Sequence, residues 1–398
     1  MESIRTSCSS MQGEIIALRR GLHQVPELGT HLPETRALIC ETLDRWGVPY
    51  QKSALDSSVS GSISGGAPGK TVLLRADVDG LPIREETGLP FASRHPGIMH
   101  ACGHDAHGAM LLGAVKALFD RRETLCGTVR FLFQASEEDG RGAKNAIAEG
   151  ILDGVDAVFG MHVGSILGPE IPSGTVTAAP GCCMAAADRF ILRVRGAGCH
   201  GSTPEKGVDP VSISAHIILA LQEIIAREIS STKAAVVTVG RISGGAAYNI
   251  IPDEVELEGT LRCLERGVRD YVLGRIAEIA RSEAALFRGS CEVEIIPFAP
   301  PVISDPAMAA LVARAAREVV GETRVRDTLP ASNMGAEDFA FYLERVPGCY
   351  FFLSAADPEK GTCIPHHNAR FDVDESVLWE GSAVLAAAAC RFLNGEEA

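Results

Sequence analysis

Residues 129–138 have the sequence VRFLFQASEE, an apolar run of strand length that ends in two carboxylates. Similar apolar runs occupy residues 71–75 and 157–161, on either side of it in the chain. Helical patterns near 108–118 and 143–150 separate the three runs. Short apolar strands that alternate with helices are typical of βαβ units. This half of the chain therefore predicts a mixed, largely parallel sheet covered by helices.

The pattern changes near residue 188. From there the sequence predicts strand, helix, strand, strand, helix and strand, at 190–195, 210–229, 235–241, 254–262, 268–287 and 292–296. This order is a self-contained split βαβ unit. Helix and strand alternate again afterwards, at 306–320, 336–345, 349–353 and 376–393. We therefore predict an α/β domain formed by 1–187 and 299–398, interrupted by an inserted α+β domain at 188–298.

Length and charge exclude several classes of protein. A single core stops growing at roughly 250–300 residues, so a chain of 398 residues suggests two domains. The net charge of −14 argues against nucleic-acid binding, which depends on Lys and Arg. No apolar run is long enough for a membrane span, and the first residues lack a secretory signal pattern. We expect a cytoplasmic protein whose 12 cysteines are reduced.

Potential metal ligands are concentrated in residues 99–108, MHACGHDAHG, just before an apolar helix. Five donors fall within eight residues: His100, Cys102, His104, Asp105 and His107. Thiolate and imidazole are preferred ligands of zinc and its transition-metal neighbours. An N-capping Asp with incidental histidines is the alternative explanation, and the density of donors disfavours it.

Further donors follow the other predicted strands. Glu137 and Glu138 end the run at 129–138, His162 follows the run at 157–161, and the pair His366 and His367 precedes the last helix. A five-residue set exceeds the needs of a closed four-ligand zinc site: Cys102, His104, Glu138, His162 and His367. It suits two metal ions that share a bridging carboxylate and a water molecule. Glu137, next to a predicted ligand, would be the base.

Several motifs carry a family resemblance: 18–29 (LRRGLHQVPELG), 75–82 (RADVDGLP), 100–107 (HACGHDAH), 137–138 (EE), 160–162 (GMH), 335–340 (GAEDFA) and 367–371 (HNARF). On these motifs the chain resembles the dinuclear metallo-aminoacylase/carboxypeptidase family. The most similar branch contains hippurate hydrolases, N-acyl-L-amino-acid amidohydrolases and plant indole-acetyl-amino-acid hydrolases. The resemblance covers nearly the whole chain.

The resemblance implies roles for individual residues. It implies that the five-residue set binds the metals, that Glu137 is the general base, and that Asp79 also belongs to the catalytic machinery. It implies that the inserted domain is a lid that dimerises, which predicts a homodimer or a dimer of dimers. His200 of the lid would serve the oxyanion, whereas the remaining residues would bind substrate: Asn249, Arg262 and Glu337.

We therefore predict a metal-dependent amidohydrolase. It would cleave N-acyl-L-amino acids, such as N-acetyl or N-benzoyl derivatives, to a carboxylate and a free amino acid by metal-bound hydroxide. The two divalent ions would be zinc, manganese, cobalt or nickel. The main alternative is a dipeptidase or metallocarboxypeptidase that uses the same site.

Two readings from other classes stay open at this point. Cys102 could be a thiol nucleophile with His104 or His162 as its base, which predicts inactivation by alkylating agents and indifference to chelators. The protein could also be a binding protein that captures a ligand with a metal and does no chemistry. Measured turnover of any amide would exclude that reading.

Overall fold

The structure is a computed structural model that describes residues 3–330 and 333–396. The chain divides into two compact units, each with its own apolar core. Unit 1 comprises Met1–Cys183, Val302–Ala331 and Asp338–Ala398, and unit 2 comprises Met184–Pro301 and Ser332–Glu337. One unit is therefore inserted into the sequence of the other.

The first part of unit 1 contains five helices and most of the large sheet. Its helices are α1 (Ile4–Ser10), α2 (Gln12–His23), α3 (Pro33–Trp46), α4 (His104–Asp120) and α5 (Gly142–Ala148). Its strands are β1 (Gln51–Lys52), β2 (Val59–Ser64), β3 (Ala67–Asp77), β4 (Cys126–Gln134), β5 (Ala157–Gly164), β6 (Val176–Thr177) and β7 (Gly181–Met184).

The remaining elements follow in chain order. Those of unit 2 are β8 (Ala186–Arg195), β9 (Cys199–His200), α6 (Pro210–Glu223), β10 (Ala235–Gly244), β11 (Ile250–Ile251), β12 (Glu254–Cys263), α7 (Arg266–Leu286) and β13 (Ser290–Ala299). The chain then returns to unit 1 with β14 (Val302–Ser304), α8 (Pro306–Val320), β15 (Val325–Arg326), α9 (Ala340–Leu343), β16 (Gly348–Ser354) and α10 (Leu378–Leu393).

The sheet of unit 1 has eight strands in the order β1-β2-β4-β3-β5-β16-β6-β15. The four central strands, β4, β3, β5 and β16, are parallel, and antiparallel pairs lie outside them. Every residue of β5 and β16 is buried, as expected for strands covered on both faces. The predicted mixed, largely parallel sheet is therefore confirmed.

Strand β3 is the point at which the direction of chain progression reverses. The next strand, β4, pairs on one side of β3, and β5 pairs on the other side. In open α/β sheets such a switch point leaves a crevice at the carboxyl ends of the strands, where ligands bind. The sheet topology thus selects one edge of unit 1 as the place to look for a site.

Unit 2 contains a four-stranded antiparallel sheet in the order β10-β12-β8-β13. Alternate residues of its strands, such as Leu192 and Leu257, form a core with Ile213 and Ile217 of α6 and Ile276 of α7. The intervening strand residues are mainly Arg and Glu, which pair with one another on the opposite face. One face of this sheet is therefore packed on helices and the other is charged.

Three elements differ from their predicted limits in a way that affects the site. Helix α4 begins at His104 and not near residue 108, so two of the clustered histidines lie on the helix. Strand β5 continues to Gly164, so His162 lies within the strand. The helix predicted over 336–345 is reduced to Ala340–Leu343, because Asp338 is held in a buried hydrogen-bond network.

Two helical stretches are long and apolar enough, by length and composition, to cross a membrane: Pro210–Glu228 and Glu375–Leu393. The most apolar window of Glu375–Leu393 is 78% buried within the protein, so its side chains serve the core of unit 1. The corresponding window of Pro210–Glu228 is 33% buried. It provides Ile213, Ile217 and Leu221 to the core of unit 2.

Candidate metal centre

The carboxyl ends of the central strands of unit 1 bring the predicted ligands together. Asp77 ends β3, Glu137 and Glu138 follow β4, and His162 lies near the end of β5. The N-terminus of α4 provides Cys102 and His104 at the same place, and the loop before α10 provides His367. Residues as far apart in sequence as Asp77 and His367 therefore form one cluster, within a single unit.

Two histidines of the cluster are held in a defined tautomer. His104 donates its Nδ1–H to the carbonyl oxygen of Asp79 at 3.0 Å, and His162 donates its Nδ1–H to the carbonyl oxygen of Val163 at 3.0 Å. A carbonyl oxygen can only accept, so Nε2 is the ring nitrogen available for a metal in both residues. Cys102 Sγ lies 3.5 Å from His162 Nε2, and ligand atoms of Cys102, His104 and His162 all lie within 4.8 Å of one another.

A second group contains Cys102, Glu138 and His367, again with ligand atoms within 4.8 Å of one another. Glu138 Oε1 lies 3.5 Å from His367 Nε2 and 3.9 Å from His104 Nε2. Cys102 and Glu138 each belong to one group with His104 and to another with His367. Either residue is therefore placed to bridge two neighbouring ions.

The donor set fits cations on the evidence of its unsatisfied atoms. His104 Nε2 and Glu138 Oε1 are buried and have no hydrogen-bond partner among the residues that the structure describes. Buried polar atoms are normally hydrogen-bonded, so two that face each other across 3.9 Å require an explanation. A cation between them satisfies both atoms.

The electrostatics of the cluster also favour positive charge. Burial, followed by the Glu138 charge, raises the pKa of the Cys102 thiol. Burial opposes protonation of His104, but the charges of Asp77 and Cys102 raise its pKa well above the usual value. The interactions of His367 with Cys102 and Glu138 raise its pKa to about 10. Divalent ions would replace these protons and stabilise the thiolate.

Glu137 is buried beside the ligands. Its carboxylate lies within 4.8 Å of the ligand atoms of His104 and Glu138, and its Oε1 accepts the backbone N–H of Asp338 at 3.3 Å. A carboxylate fixed next to a metal cluster can take a proton from a water molecule and release it to a leaving group. Its position therefore suits the predicted role of base.

Two residues next to or within the cluster have left-handed backbone conformations. Ser136, just before Glu137, has φ +65°, and His367 has φ +61°. For residues other than glycine this costs roughly 1–2 kcal/mol each. His367 is held by its N–H, which donates to the carbonyl oxygen of Ala101 at 2.8 Å, one residue before Cys102. Strain of this kind persists where the surrounding structure fixes the chain, often at functional sites.

Other histidines near the cluster have different roles. His107 Nε2 accepts the Val163 N–H at 2.9 Å, so its Nδ1 is protonated and donates to Asp77 at 2.5 Å. His366 donates Nε2–H to the carbonyl oxygen of Val163 at 3.0 Å. Burial lowers the pKa of His100 to about 3, and neither of its ring nitrogens has a partner among the described residues. Both ring nitrogens of His107 are therefore used. His366 keeps Nδ1, but it belongs to no candidate ligand group among the described residues.

A buried network beneath the ligands was not found by sequence reasoning. Arg75 donates to Asp77 at 2.7 Å, to Asp338 at 2.6 Å and to Gln134 at 2.9 Å. Gln134 also donates to Asp338. The network joins Asp77, the partner of His107, to Asp338, the partner of Glu137. Arg75 and Asp77 lie in the 75–82 motif, which was the only sequence signal that could have pointed to this network.

Asp79 contacts two of the predicted ligands, His104 and Glu138. Its backbone carbonyl orients His104, its Oδ1 lies 3.4 Å from His104 Nδ1, and its Oδ2 accepts the N–H of Glu138 at 3.1 Å. Burial raises the pKa of the Asp79 carboxyl. Asp79 is therefore placed to orient two of the predicted ligands, His104 and Glu138.

The other predicted residues belong to unit 2. His200 Nδ1 accepts the backbone N–H of Ser202 at 3.1 Å, so the proton of the neutral ring is on Nε2. Asn249 lies beside it, because its carbonyl oxygen accepts the N–H of Gly201 at 2.8 Å. Arg262 is half-buried on β12, and burial lowers its pKa, partly offset by Asp188. Glu337 is buried.

Residues 73–391 match the sequence model of Peptidase family M20/M25/M40. The chain belongs to this family. An N-acetyl-L-cysteine deacetylase from Bacillus subtilis (strain 168) is 40% identical over 398 residues, which cover 100% of this chain and 92% of that protein. Thermostable carboxypeptidase 1 from Saccharolobus solfataricus is 38% identical over 398 residues, with 99% of both proteins covered.

A solved structure of the same family has the same fold. The YXEP protein of Bacillus subtilis, described as a dinuclear metal-binding peptidase from family M20, is 33% identical and superposes with a TM-score of 0.83. The match covers 97% of this chain and 99% of that one. The resemblance inferred from the motifs is thus confirmed. This M20 family member is a hydrolase of the amidohydrolase and peptidase type, with ligand groups that fit a dinuclear metal centre.

Proposed function

We propose that the protein hydrolyses N-acyl-L-amino acids, such as N-acetyl or N-benzoyl derivatives, at a centre that holds two divalent ions. The observation that carries the proposal is the cluster of two ligand groups that share Cys102, with Glu137 buried next to them. The proposed ligands are the five predicted residues: Cys102, His104, Glu138, His162 and His367. The 40% identity to an N-acetyl-L-cysteine deacetylase supports the substrate class.

The ions would polarise the scissile carbonyl group and lower the pKa of a water molecule. Thiolate ligation by Cys102 favours zinc or cobalt over the harder manganese, with nickel also compatible with imidazole ligands. Cys102 and Glu138 are the two candidates for the bridging ligand. Asp79 would keep His104 in its coordinating tautomer through the 3.0 Å hydrogen bond.

Glu137 would perform the proton transfers. Its carboxylate takes one proton from the attacking water and then donates it to the nitrogen of the scissile amide as the C–N bond breaks. The products are the acyl carboxylate and a free amino acid, so the base returns to its ionised state. The N–H of Asp338 fixes Oε1 of Glu137 beside the ligand groups.

For unit 2 we propose the lid role that the sequence predicts for 188–298. His200 would donate Nε2–H to the oxyanion, in keeping with its tautomer. Arg262 makes no ion pair with a carboxylate in the described parts of the chain, which suits a guanidinium that binds the carboxylate of a substrate. Asn249 and Glu337 would complete the substrate contacts.

We also propose a cytoplasmic homodimer, or a dimer of dimers, that forms through unit 2. The support is an edge strand with exposed apolar side chains: β10 exposes Val236 and Ile242, which are 42% and 56% exposed. Helix α6 adds Leu219, which is 69% exposed. Unpaired strand edges of this kind are sites of association. Sedimentation of Ile242→Lys against the wild type tests the proposal, because loss of a dimer is expected.

A carboxypeptidase or dipeptidase is the second candidate, favoured by the 38% identity to thermostable carboxypeptidase 1. Both activities would use the same ligands and the same base. They differ in the group on the acyl side of the amide, which is a simple acyl group in one case and a peptide in the other.

The deciding experiment compares initial rates on N-acetyl and N-benzoyl amino acids with rates on dipeptides and longer peptides, with and without a chelator. We expect the highest kcat/KM on N-acyl amino acids and loss of all activity with the chelator. Higher kcat/KM on peptides would favour the second candidate. Full activity with the chelator and inactivation by an alkylating agent would favour the thiol-nucleophile mechanism.

A further inference from the structure

The strongest feature outside the ligand cluster is a fully buried arginine in α2. Arg19 is 0% exposed, and all three nitrogens of its guanidinium donate to carboxylates. Nε donates to Asp105 at 2.8 Å, Nη2 to Asp372 at 2.7 Å and Nη1 to Glu375 at 3.1 Å. These three carboxylates belong to two segments that are far apart in the sequence.

Each of the two segments carries a proposed metal ligand. Asp105 directly follows His104 in the first turn of α4. Asp372 lies in the loop that also contains His367, and Glu375 begins the short helical turn that directly follows this loop. Among the described residues, one backbone hydrogen bond joins this loop to the residues just before α4, from the His367 N–H to the carbonyl oxygen of Ala101. Arg19 provides a second connection, through side chains.

We propose that Arg19 is a positioning residue that holds the segment of His104 and the loop of His367 at the separation that two metal ions require. The inference rests on the proposed metal centre and deepens it. Arg19 contacts neither substrate nor a proposed ligand, so it would act through Asp105, Asp372 and Glu375. A planar guanidinium presents its donors in a fixed fork and can hold three carboxylates at set separations, whereas a lysine ammonium is a compact point charge.

The carboxylates themselves show why the arginine is needed. Asp105 and Arg19 are both completely buried, and the only other side chain that donates to Asp105, among the described residues, is His23 at 2.8 Å. Without Arg19, the negative charges of Asp105, Asp372 and Glu375 would face one another and push the loop away from α4. The left-handed conformation of His367 would then lose the support that the ion pairs of Arg19 give to its loop.

The next residue along the chain provides a matched control. Arg20 also donates to Glu375, at 2.6 Å, and like Arg19 its guanidinium lies over the Phe91 ring, at 4.7 Å against 5.2 Å for Arg19. However, Arg20 is 47% exposed and makes no contact with Asp105 or Asp372. It shares one partner and the aromatic contact with Arg19, but not the connection between the two segments.

The test measures Co²⁺ binding to the chelator-treated full-length protein and records the thiolate-to-cobalt absorption band. We expect Arg19→Lys to weaken Co²⁺ binding by about 10- to 100-fold and to shift the band, as is usual when residues behind metal ligands are replaced. Arg20→Met should bind Co²⁺ with wild-type affinity and an unchanged band. Asp372→Asn, which removes only the loop side of the connection, should weaken binding if Arg19→Lys fails to fold.

The outcomes separate the two proposals. Wild-type affinity and an unchanged band in both Arg19→Lys and Asp372→Asn would overturn the positioning role, even if Arg19→Lys melts at a lower temperature. Equal weakening in Arg19→Lys and Arg20→Met would also overturn it, because the loss would then be unspecific. Failure of the wild type itself to bind Co²⁺ would instead reject the proposed metal centre.

Discussion

Arg75 in unit 1 and Arg193 in unit 2 each face more than one carboxylate, but their surroundings differ. Arg75 is 1% exposed and contacts Asp77 and Asp338 at 2.7 and 2.6 Å. Arg193 is 29% exposed and lies among glutamates of neighbouring strands, with Glu294 at 3.0 Å. Pairs of arginine and carboxylate thus form a buried network behind the proposed metal ligands and an exposed ladder on an antiparallel sheet.

The difference in burial separates charges that fix the geometry of the proposed site from charges that do not. Burial makes each unpaired charge costly, so a network such as that of Arg75 persists only with every partner in place, and it fixes geometry. Exposed pairs contribute little and are screened by salt. Counting ion pairs would rank the two regions alike, whereas burial separates them. Substitutions in both regions test this distinction.

The largest effect is expected from Glu137→Gln, which keeps the shape of the side chain and removes the base. Turnover should fall by about 10²- to 10⁴-fold, the range typical of a general base. The metal content should stay at the wild-type value, because Glu137 is not a proposed ligand. Glu256→Gln, on the exposed ladder of unit 2, is the matched control and should leave turnover unchanged. Wild-type turnover in Glu137→Gln with metal bound would show that another group is the base.

Arg75→Met should destabilise the protein by about 3–5 kcal/mol, because it leaves Asp77 and Asp338 buried without their shared cation. Chemical unfolding of the metal-free protein measures this free energy. The same change in the ladder, Arg193→Met, should have a far smaller effect. Comparable losses in the two variants would contradict the distinction between the regions.

His23 gives a pH-dependent effect of intermediate size. Burial disfavours its charged form, but the charge and hydrogen bond of Asp105 raise its pKa to about 9. A raised pKa stabilises the folded state below the unfolded value of about 6.5, and this stabilisation is lost as the pH rises through 9. The free energy of unfolding should therefore fall by about 3 kcal/mol over this interval. His23→Gln should show a fall that is smaller than that of the wild type by about 3 kcal/mol, whereas the exposed His216→Gln should show the wild-type fall. A wild-type curve that is flat between pH 6.5 and 9 would contradict the assignment.

The smallest effect concerns salt. High ionic strength screens exposed charges, so the slight cost of Arg193→Met should disappear at 1 M salt, roughly the concentration at which the screening length falls to about 3 Å. The cost of Arg75→Met should remain, because its partners are buried. Unfolding both variants at low and high salt measures the two costs. A salt-sensitive Arg75→Met would indicate that water reaches the network.

The predictable part of the structure is the part that local pattern encodes. The apolar runs at 71–75, 129–134 and 157–161 mark three parallel strands, and the carboxyl ends of such strands meet at one edge of the sheet. The clustering of the proposed ligands that follow those strands could therefore be predicted before the fold was known. Helix α8 was predicted at its observed limits, because Asp305 and Pro306 form a clear helix start.

The parts that sequence reasoning missed depend on contacts between distant residues. No local sequence pattern indicates that His107 forms hydrogen bonds with Val163 and Asp77, or that Arg19 donates to Asp105. The start of α4 was placed too late, since a histidine-rich segment has weak helix propensity and its packing decides the limit. These residues surround the proposed ligands. The positions of the proposed ligands were therefore more predictable than the hydrogen bonds and ion pairs that hold them in place.

The most direct test of the central claim is a metal titration of the chelator-treated protein, with metal content and hydrolysis of an N-acyl amino acid measured at each step. The two ligand groups that share Cys102 predict two ions per chain, with turnover appearing as Zn²⁺ or Co²⁺ binds. Cys102→Ala should bind fewer ions and lose turnover, because both groups contain this thiol. Full turnover by protein that retains no metal would contradict the account.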